Sequence, residues 1–289
     1  MANNTTEFEI YIRPNQGWFS IDWKGLRDYR DLLLLLIRRE FVSKYQQTVL
    51  GPLWFIINPL LTTVVFSVVF GGVMNVATDG INHTLFYMGG LVTWTYFSSV
   101  LSTTAGTFTG NAHLFGKVYF PRLIVPIAMA ASQLFTFVIQ LGTFIAMFVV
   151  YHYTGKADGL APNAVIFLIP VMVIHMAMLG LGVGMALSSL TAKYRDFHHL
   201  SGFLVQLWMY GTSIIYPLST LLKKIPAGFQ WLGILNPMTM VVEAFRYGMM
   251  GHGTFNPLYY GISFVISFVI FMIGLMLFQR SARTFVDTV

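Results

Sequence analysis

Cysteine is absent from the 289 residues, which excludes disulfides and thiolate metal sites. Charge is scarce as well: Asp, Glu, Lys and Arg make up 10% of the chain, against about 25% in an ordinary soluble domain. The phosphate-cradling loop of a nucleotide site needs four residues between two glycines, then Lys and Ser or Thr. The nearest approach, "GNAHLFGKV" from Gly110 to Val118, has five residues between its glycines and a valine where a metal-holding hydroxyl belongs. Histidine pairs one helical turn apart, the usual metal-binding arrangement, are missing too, since the seven histidines stand at 83, 113, 152, 175, 198, 199 and 252. No catalytic residue and no metal ligand is assigned, and any nucleotide chemistry must come from another chain.

What is present is apolar. Hydrophobic residues make up 56% of the chain and the mean hydropathy is +0.68, so lipid must cover part of the surface. A spanning helix needs about 20 residues nearly free of charge. Six intervals qualify, at 45–78, 80–116, 123–155, 159–192, 197–222 and 247–279. A shorter one, 225–242, carries Pro226 and Pro237 and fits a re-entrant element better than a span. The expected fold is an all-α membrane protein with spans near 53–74, 85–106, 123–152, 164–190, 200–220 and 257–279. Residues 1–50 form a cytoplasmic segment, 51–282 the membrane domain and 283–289 a cytoplasmic tail.

Lys and Arg concentrate in cytoplasmic loops because translocating them is unfavourable. Six spans with both termini inside leave 13 of the 17 inside and 4 outside, whereas seven spans give 12 against 5. Charge therefore places the N-terminus inside, and the prolines favour six spans over seven. The net charge of +6 reads as basicity on the cytoplasmic face, available to anionic lipid or an acidic partner rather than to nucleic acid. The first fifty residues are polar, and their one apolar run, at 32–37, is too short for a cleaved signal.

Between Asp28 and Gly51, Ile37, Phe41, Tyr45 and Val49 recur on one helical face, beside Arg38, Arg39 and Lys44. An amphipathic helix of this kind lies in the membrane interface. Gly51 and Pro52, within "KYQQTVLGPLWFIINPLL", should end it and turn the chain into its first span.

The spans hold almost no ionisable groups, which argues against transport driven by an ion gradient. His175 lies deep in one of them and is either a functional group or a neutral histidine bonded to a neighbouring helix. Gly180, Gly182 and Gly184 beside it suit close helix packing. Aromatic residues reach 16%. Trp54, Phe55, Phe66, Trp94, Tyr96, Trp208, Tyr210 and Tyr216 are either interfacial anchors or, in part, a stacking track for sugar rings.

Four stretches then carry a resemblance: "RREFVSKYQQTVLGPLWFIINPLL", "HLFGKVYFPRLIVP" at 113–126, "LTAKYRDFHHL" at 190–200 and "LNPMTMVVEAFRYGMMG" at 235–251. In order and spacing the chain resembles the transmembrane subunits of bacterial ABC-2 type polysaccharide exporters over roughly residues 35–285. The resemblance implies a homodimer in the inner membrane that exports lipid-linked O-antigen, capsular polysaccharide or teichoic acid. It also implies two copies of a cytoplasmic ATPase that binds ATP and Mg2+.

It further implies that the helix before Gly51 lies near the ATPases. Phe115, Lys117, Tyr119 and Pro121, with Lys193, Tyr194, Arg195 and Asp196, would form the coupling loops. Residues 221–256 would make short outer-face helices that gate the exit, with breaks at Tyr216-Pro217 and Asn236-Pro237. Glu243 and Arg246, three apart, would pair with each other or touch the passing glycan. Two rivals stand beside this reading. One is an ABC-2 exporter of small drugs or lipids; the other is a membrane-embedded transferase working through His175.

Overall fold

The computed structural model describes residues 23–115, 120–157, 159–194 and 196–285, and every regular element among them is a helix. Two helices, α1 (Trp23–Asp28) and α2 (Arg30–Ser43), precede a 3-10 turn at Gly51–Leu53. It leads into α3 (Trp54–Phe66), which continues as a π-helical segment, Ser67–Val73. Next come α4 (His83–Ala105), the short α5 (Thr107–Gly110) and α6 (Ala112–Phe115), and α7 (Ile124–Tyr153). A 3-10 turn, Ala164–Leu168, opens α8 (Ile169–Lys193), followed by α9 (Phe197–Tyr210). The chain ends through α10 (Leu218–Lys224), α11 (Gln230–Leu235), α12 (Pro237–Met250) and α13 (Pro257–Phe285).

Side chains fix several of these boundaries. Asn82, Asn163 and Asn236 each accept a hydrogen bond from the backbone N–H two residues on, at 3.0, 2.9 and 3.2 Å, and so start α4, the turn before α8, and α12. Pro237 takes the first position of α12, where a missing N–H costs nothing. Gly251, at φ +72°, ends the same helix in a left-handed conformation.

Among the described residues four stretches are long and apolar enough to cross a membrane: Gly51–Val73, Ile124–Tyr153, Ala164–Lys193 and Pro257–Arg283. At about 1.5 Å per residue each exceeds the ~30 Å hydrocarbon core. Although α4 is 23 residues long, it is less apolar, and most of it from Leu85 to Ala105 is buried. A helix covered by protein rather than lipid has no need of an unbroken apolar surface.

Glycines bring α8 against both of its neighbours. A Cβ on Gly184 would stand 2.6 Å from Thr104 and one on Gly180 2.9 Å from Val100, both on α4. On the other side, a Cβ on Gly182 would lie 2.7 Å from the backbone of Phe271 on α13, and one on Gly274 would run into the Gly182 carbonyl. The helices meet backbone to backbone because these positions have no side chain. The reading of these glycines as packing residues agrees with this arrangement.

Two expectations need correction. The helix expected to run to Gly51 stops at Ser43. Gln47 has φ +65°, Val49 is fully exposed, and the supposed apolar stripe is cut after Phe41. The helix expected over 200–220 ends at Tyr210, and residues 211–217 are irregular. The groups that satisfy this opened backbone belong to the site.

Candidate functional site

The bundle has two unlike ends. At one, Thr191 Oγ1 donates to Ala105 O (3.2 Å), Phe108 N donates to Ser188 Oγ (3.4 Å), and the Phe108 and Phe278 rings stack at 4.7 Å. The ends of α4, α8 and α13 therefore lie together. Arg39 on α2 joins them, donating to Asn111 Oδ1 (3.1 Å) and to Glu40 (2.7 Å). Arg27, Arg38, Lys44, Arg122, Lys193, Arg280 and Arg283 come from segments that gather here, which makes this the basic end.

An apolar cluster underlies that end, built from Leu36, Phe108, Phe115, Phe120, Met129, Met185 and Phe278. Phe115 is buried, stacked on Phe120 at 5.9 Å, with the Arg122 guanidinium 6.0 Å from its ring. It anchors its loop rather than presenting a surface. Pro121, half-buried, precedes the first turn of α7 and accepts from Ile124 N at 3.0 Å. Lys193, Tyr194 and Asp196 are exposed, and the Lys193 ammonium stands 5.2 Å from the Tyr194 ring. Lys117, Tyr119 and Arg195 lie outside the described residues.

The bend into α3 is held by aromatic packing. Phe41 stacks on Phe55 at 5.6 Å and meets Tyr45 edge-on at 5.3 Å and Phe135 of α7 at 5.0 Å. Gly51, at φ +51°, takes a backbone conformation that L side chains rarely adopt. Arg38 and Pro52 are exposed. Lys44 reaches to Gln133, whose Oε1 accepts from its ammonium, and desolvation holds that ammonium below the ordinary lysine value, with Glu40 opposing.

At the opposite end the chain between α9 and α12 is tied by polar groups. The Arg246 guanidinium donates to Ser213 O, to Ile214 O (2.9 Å) and to Phe86 O (3.2 Å), and lies 3.5 Å from the Phe86 ring. Asn236 Nδ2 donates to Gly211 O (2.8 Å) while its Oδ1 accepts from Trp208 Nε1 (2.9 Å). Tyr216 OH donates to Tyr210 O. These donors occupy the carbonyls freed where α9 stops, which is what permits irregular backbone inside an apolar bundle.

Glu243 stands 3.7 Å from Arg246, with Oε1 accepting from Leu218 N (3.0 Å) and Oε2 from Thr254 N (3.2 Å). The two charges pair with each other and are shielded by protein. Pro217 and Pro237 are buried beside them. Asp79 joins the same end, its carboxylate accepting from Ser219 Oγ (2.8 Å).

His175 Nε2 is 2.8 Å from Ser267 Oγ and 3.4 Å from Ser263 Oγ on α13. This is a histidine bonded to a neighbouring helix. The aromatics divide into two groups. Trp94 and Tyr96 are 5% and 3% exposed and pack on Phe97 and Phe137, so a polymer does not reach them in this arrangement. Trp54 and Tyr210 are exposed, while Phe55, Phe66, Trp208 and Tyr216 are half-buried. The sequence reading passed over Gln133, Gln140 and Asn111, all buried. The two glutamines were visible as polar interruptions in the apolar run of α7.

Fold and site define an integral-membrane helical bundle with basic loops gathered at one end. A profile of the ABC-2 type transporter family matches residues 31–250, and the chain belongs to that family. It is 28% identical over 258 residues to an O-antigen export system permease protein, RfbA, of Klebsiella pneumoniae, covering 89% of this chain and 94% of the relative. An RfbA of Myxococcus xanthus is 29% identical over 223 residues, covering 77% and 82%. The polysialic acid transport protein KpsM of Escherichia coli is 23% identical over 216 residues, covering 74% and 80%.

Proposed function

We propose that this chain is the permease subunit of an ATP-driven exporter that moves polyprenyl-linked polysaccharide, O-antigen in the first instance, across the bacterial inner membrane. The observation that carries this reading is the match to O-antigen export permeases over 89% of the chain. The geometry supports it, because buried aromatic and polar contacts tie α2 to the segment that follows α4 at the end where basic residues gather.

The chain works as a homodimer with two copies of a cytoplasmic ABC ATPase, which carry the ATP and Mg2+. The basic end faces the cytoplasm, with both termini there. Six spans are formed by α3 with its π-helical extension, α4, α7, α8, α9 with the irregular 211–217, and α13. ATPase closure pushes on the loops that hold Phe115 to Pro121 and Lys193 to Asp196. Helix α2 lies along the membrane face beside them.

Helices α10 to α12 form the outer gate, with Pro217, Asn236, Pro237, Glu243 and Arg246 holding the breaks. Trp54, Phe55, Phe66, Trp208, Tyr210 and Tyr216 remain available to line the path, where ring stacking on sugars is tolerant of sequence. Depletion of the protein in its native cell tests the reading. Lipid-linked glycan should accumulate on the cytoplasmic leaflet as surface glycan falls. Unchanged surface glycan would instead favour export of a small molecule.

A further inference from the structure

Between the end of α2 and helices α4, α7 and α9 lies an open groove of about 380 Å³ lined by Lys44, Ser99, Ser102, Thr103, Gln133 and Gly202. Ser98 and Val205 complete the lining, which is apolar over most of its area and is interrupted by the serine and threonine hydroxyls, the Gln133 amide and the Lys44 ammonium. The Ser99 and Ser102 hydroxyls and the Gln133 amide nitrogen make no hydrogen bond to the described residues, whereas the Thr103 hydroxyl donates to Ser99 O (2.7 Å). Donors are thus left over in a concave surface. Among the described residues no carboxylate lines the groove, and Glu40, the acid whose field reaches Lys44, is paired with Arg39 at 2.7 Å.

A cation held by a neutral amide, with free hydroxyl and amide donors around it, is half of an anion site. We infer that this groove receives a phosphate or diphosphate group at the membrane surface, and that Lys44 supplies the opposing charge. Ser99, Ser102 and Gln133 complete the set of donors to its oxygens. A sugar would use the hydroxyls and the amide but would leave the ammonium without a counter-charge. The diphosphate that links polyprenol to a glycan uses all of them. Beside the groove, α9 exposes Phe203, Leu204 and Leu207, apolar surface that suits the attached lipid chain. The inference deepens the proposed function and rests on it for the identity of the lipid.

Location adds a mechanical consequence. Gln133 lies about 13 Å along α7 from its start at Ile124, and Gly202 follows Asp196 by less than two turns of α9. The groove walls are thus continuations of both loops proposed to contact the ATPase. A bound headgroup and the ATPase would act on the same helices.

The test uses the complex of permease and ATPase in phosphatidylcholine nanodiscs, with dissociation constants measured for three probes. They are polyprenyl diphosphate, phosphatidylglycerol and inorganic pyrophosphate. Lys44→Gln should weaken polyprenyl diphosphate binding about tenfold while Lys44→Arg stays within about threefold. The double variant Ser99→Ala/Ser102→Ala, which keeps the charge, should also bind more weakly. Lys44-dependent binding that extends equally to phosphatidylglycerol would assign the groove to ordinary anionic lipid, and binding of pyrophosphate alone to free phosphate. Unchanged affinity for every probe in both Lys44→Gln and the double-serine variant would overturn the site and leave the exporter reading intact. Failure of the wild-type complex to bind any probe, together with unchanged surface glycan on depletion, would overturn both.

Discussion

Arg246 and Glu243 face each other at 3.7 Å, and about 1% of either side chain is exposed. Neither is simply the other's counter-ion. Arg246 bonds the carbonyls of Ser213 and Ile214, and Glu243 bonds the N–H groups of Leu218 and Thr254. The pair holds both sides of the irregular stretch that follows α9.

Arg246→Ala should therefore be among the most damaging single changes in the chain. It leaves Glu243 buried without a counter-charge and several carbonyls without donors, a loss of about 3–5 kcal/mol. Arg246→Lys keeps the charge but cannot reach three carbonyls with a planar fork, and should lose part of that. Thermal melting of the purified protein in nanodiscs checks both, and a melting point unchanged in Arg246→Ala would refute the assignment.

The seam between α8 and α13 makes a second prediction. Gly274→Ala and Gly182→Ala each force a methyl group into facing backbone and should cost about 1–3 kcal/mol. Gly142→Ala and Gly261→Ala, which open onto free space, should melt within about 0.5 kcal/mol of wild type. Equal effects in the two pairs would show that the seam is looser than described.

His175→Ala should leave glycan export within about twofold of wild type, because its partners are Ser263 and Ser267 and the ring serves packing. Abolished export with normal folding, measured as surface glycan per permease, would revive a catalytic role.

Arg39 and Asn111 connect α2 to the first loop of the basic end. Each single alanine variant should lower glycan-stimulated ATP hydrolysis, and the double variant should lower it no further than the worse single. That non-additivity is what a shared bond of about 0.5–3 kcal/mol produces. Additive losses would mean that the contact carries no coupling. Arg195→Glu should lower the same rate, and full retention would remove that loop from the coupling path.

Much of this architecture was readable from the chain because a lipid-covered helix has to be free of charge. The apolar runs at 123–155, 159–192 and 247–279 became α7, the α8 segment and α13. What could not be read was set by contacts far apart in sequence. The sequence marks a break at Tyr216-Pro217, but that the helix over 200–220 already stops at Tyr210, before Gly211, rests on Asn236 and Arg246, which come from later in the chain. Their spacing puts Phe41 and Tyr45 on one helical stripe. The helix ends between them because Phe55 and Phe135 gather the aromatic rings and Gln133 draws Lys44 aside. The burial of Trp94 and Tyr96 was equally hidden, since an aromatic in an apolar run looks the same whether it faces lipid, a partner or the core.

The backbone contact between Gly182 and Gly274 also bears on which parts can move. With no side chains between them to slide or change rotamer, α8 and α13 have no slack, and α4 is locked to the same unit through Gly180 and Gly184. By contrast, the Gly51–Val73 stretch has little of its length buried and contains Pro59 and a π-helical segment, while α9 exposes much of its apolar surface. A work cycle would thus keep a stiff three-helix frame stationary and shift the two lightly held helices against it.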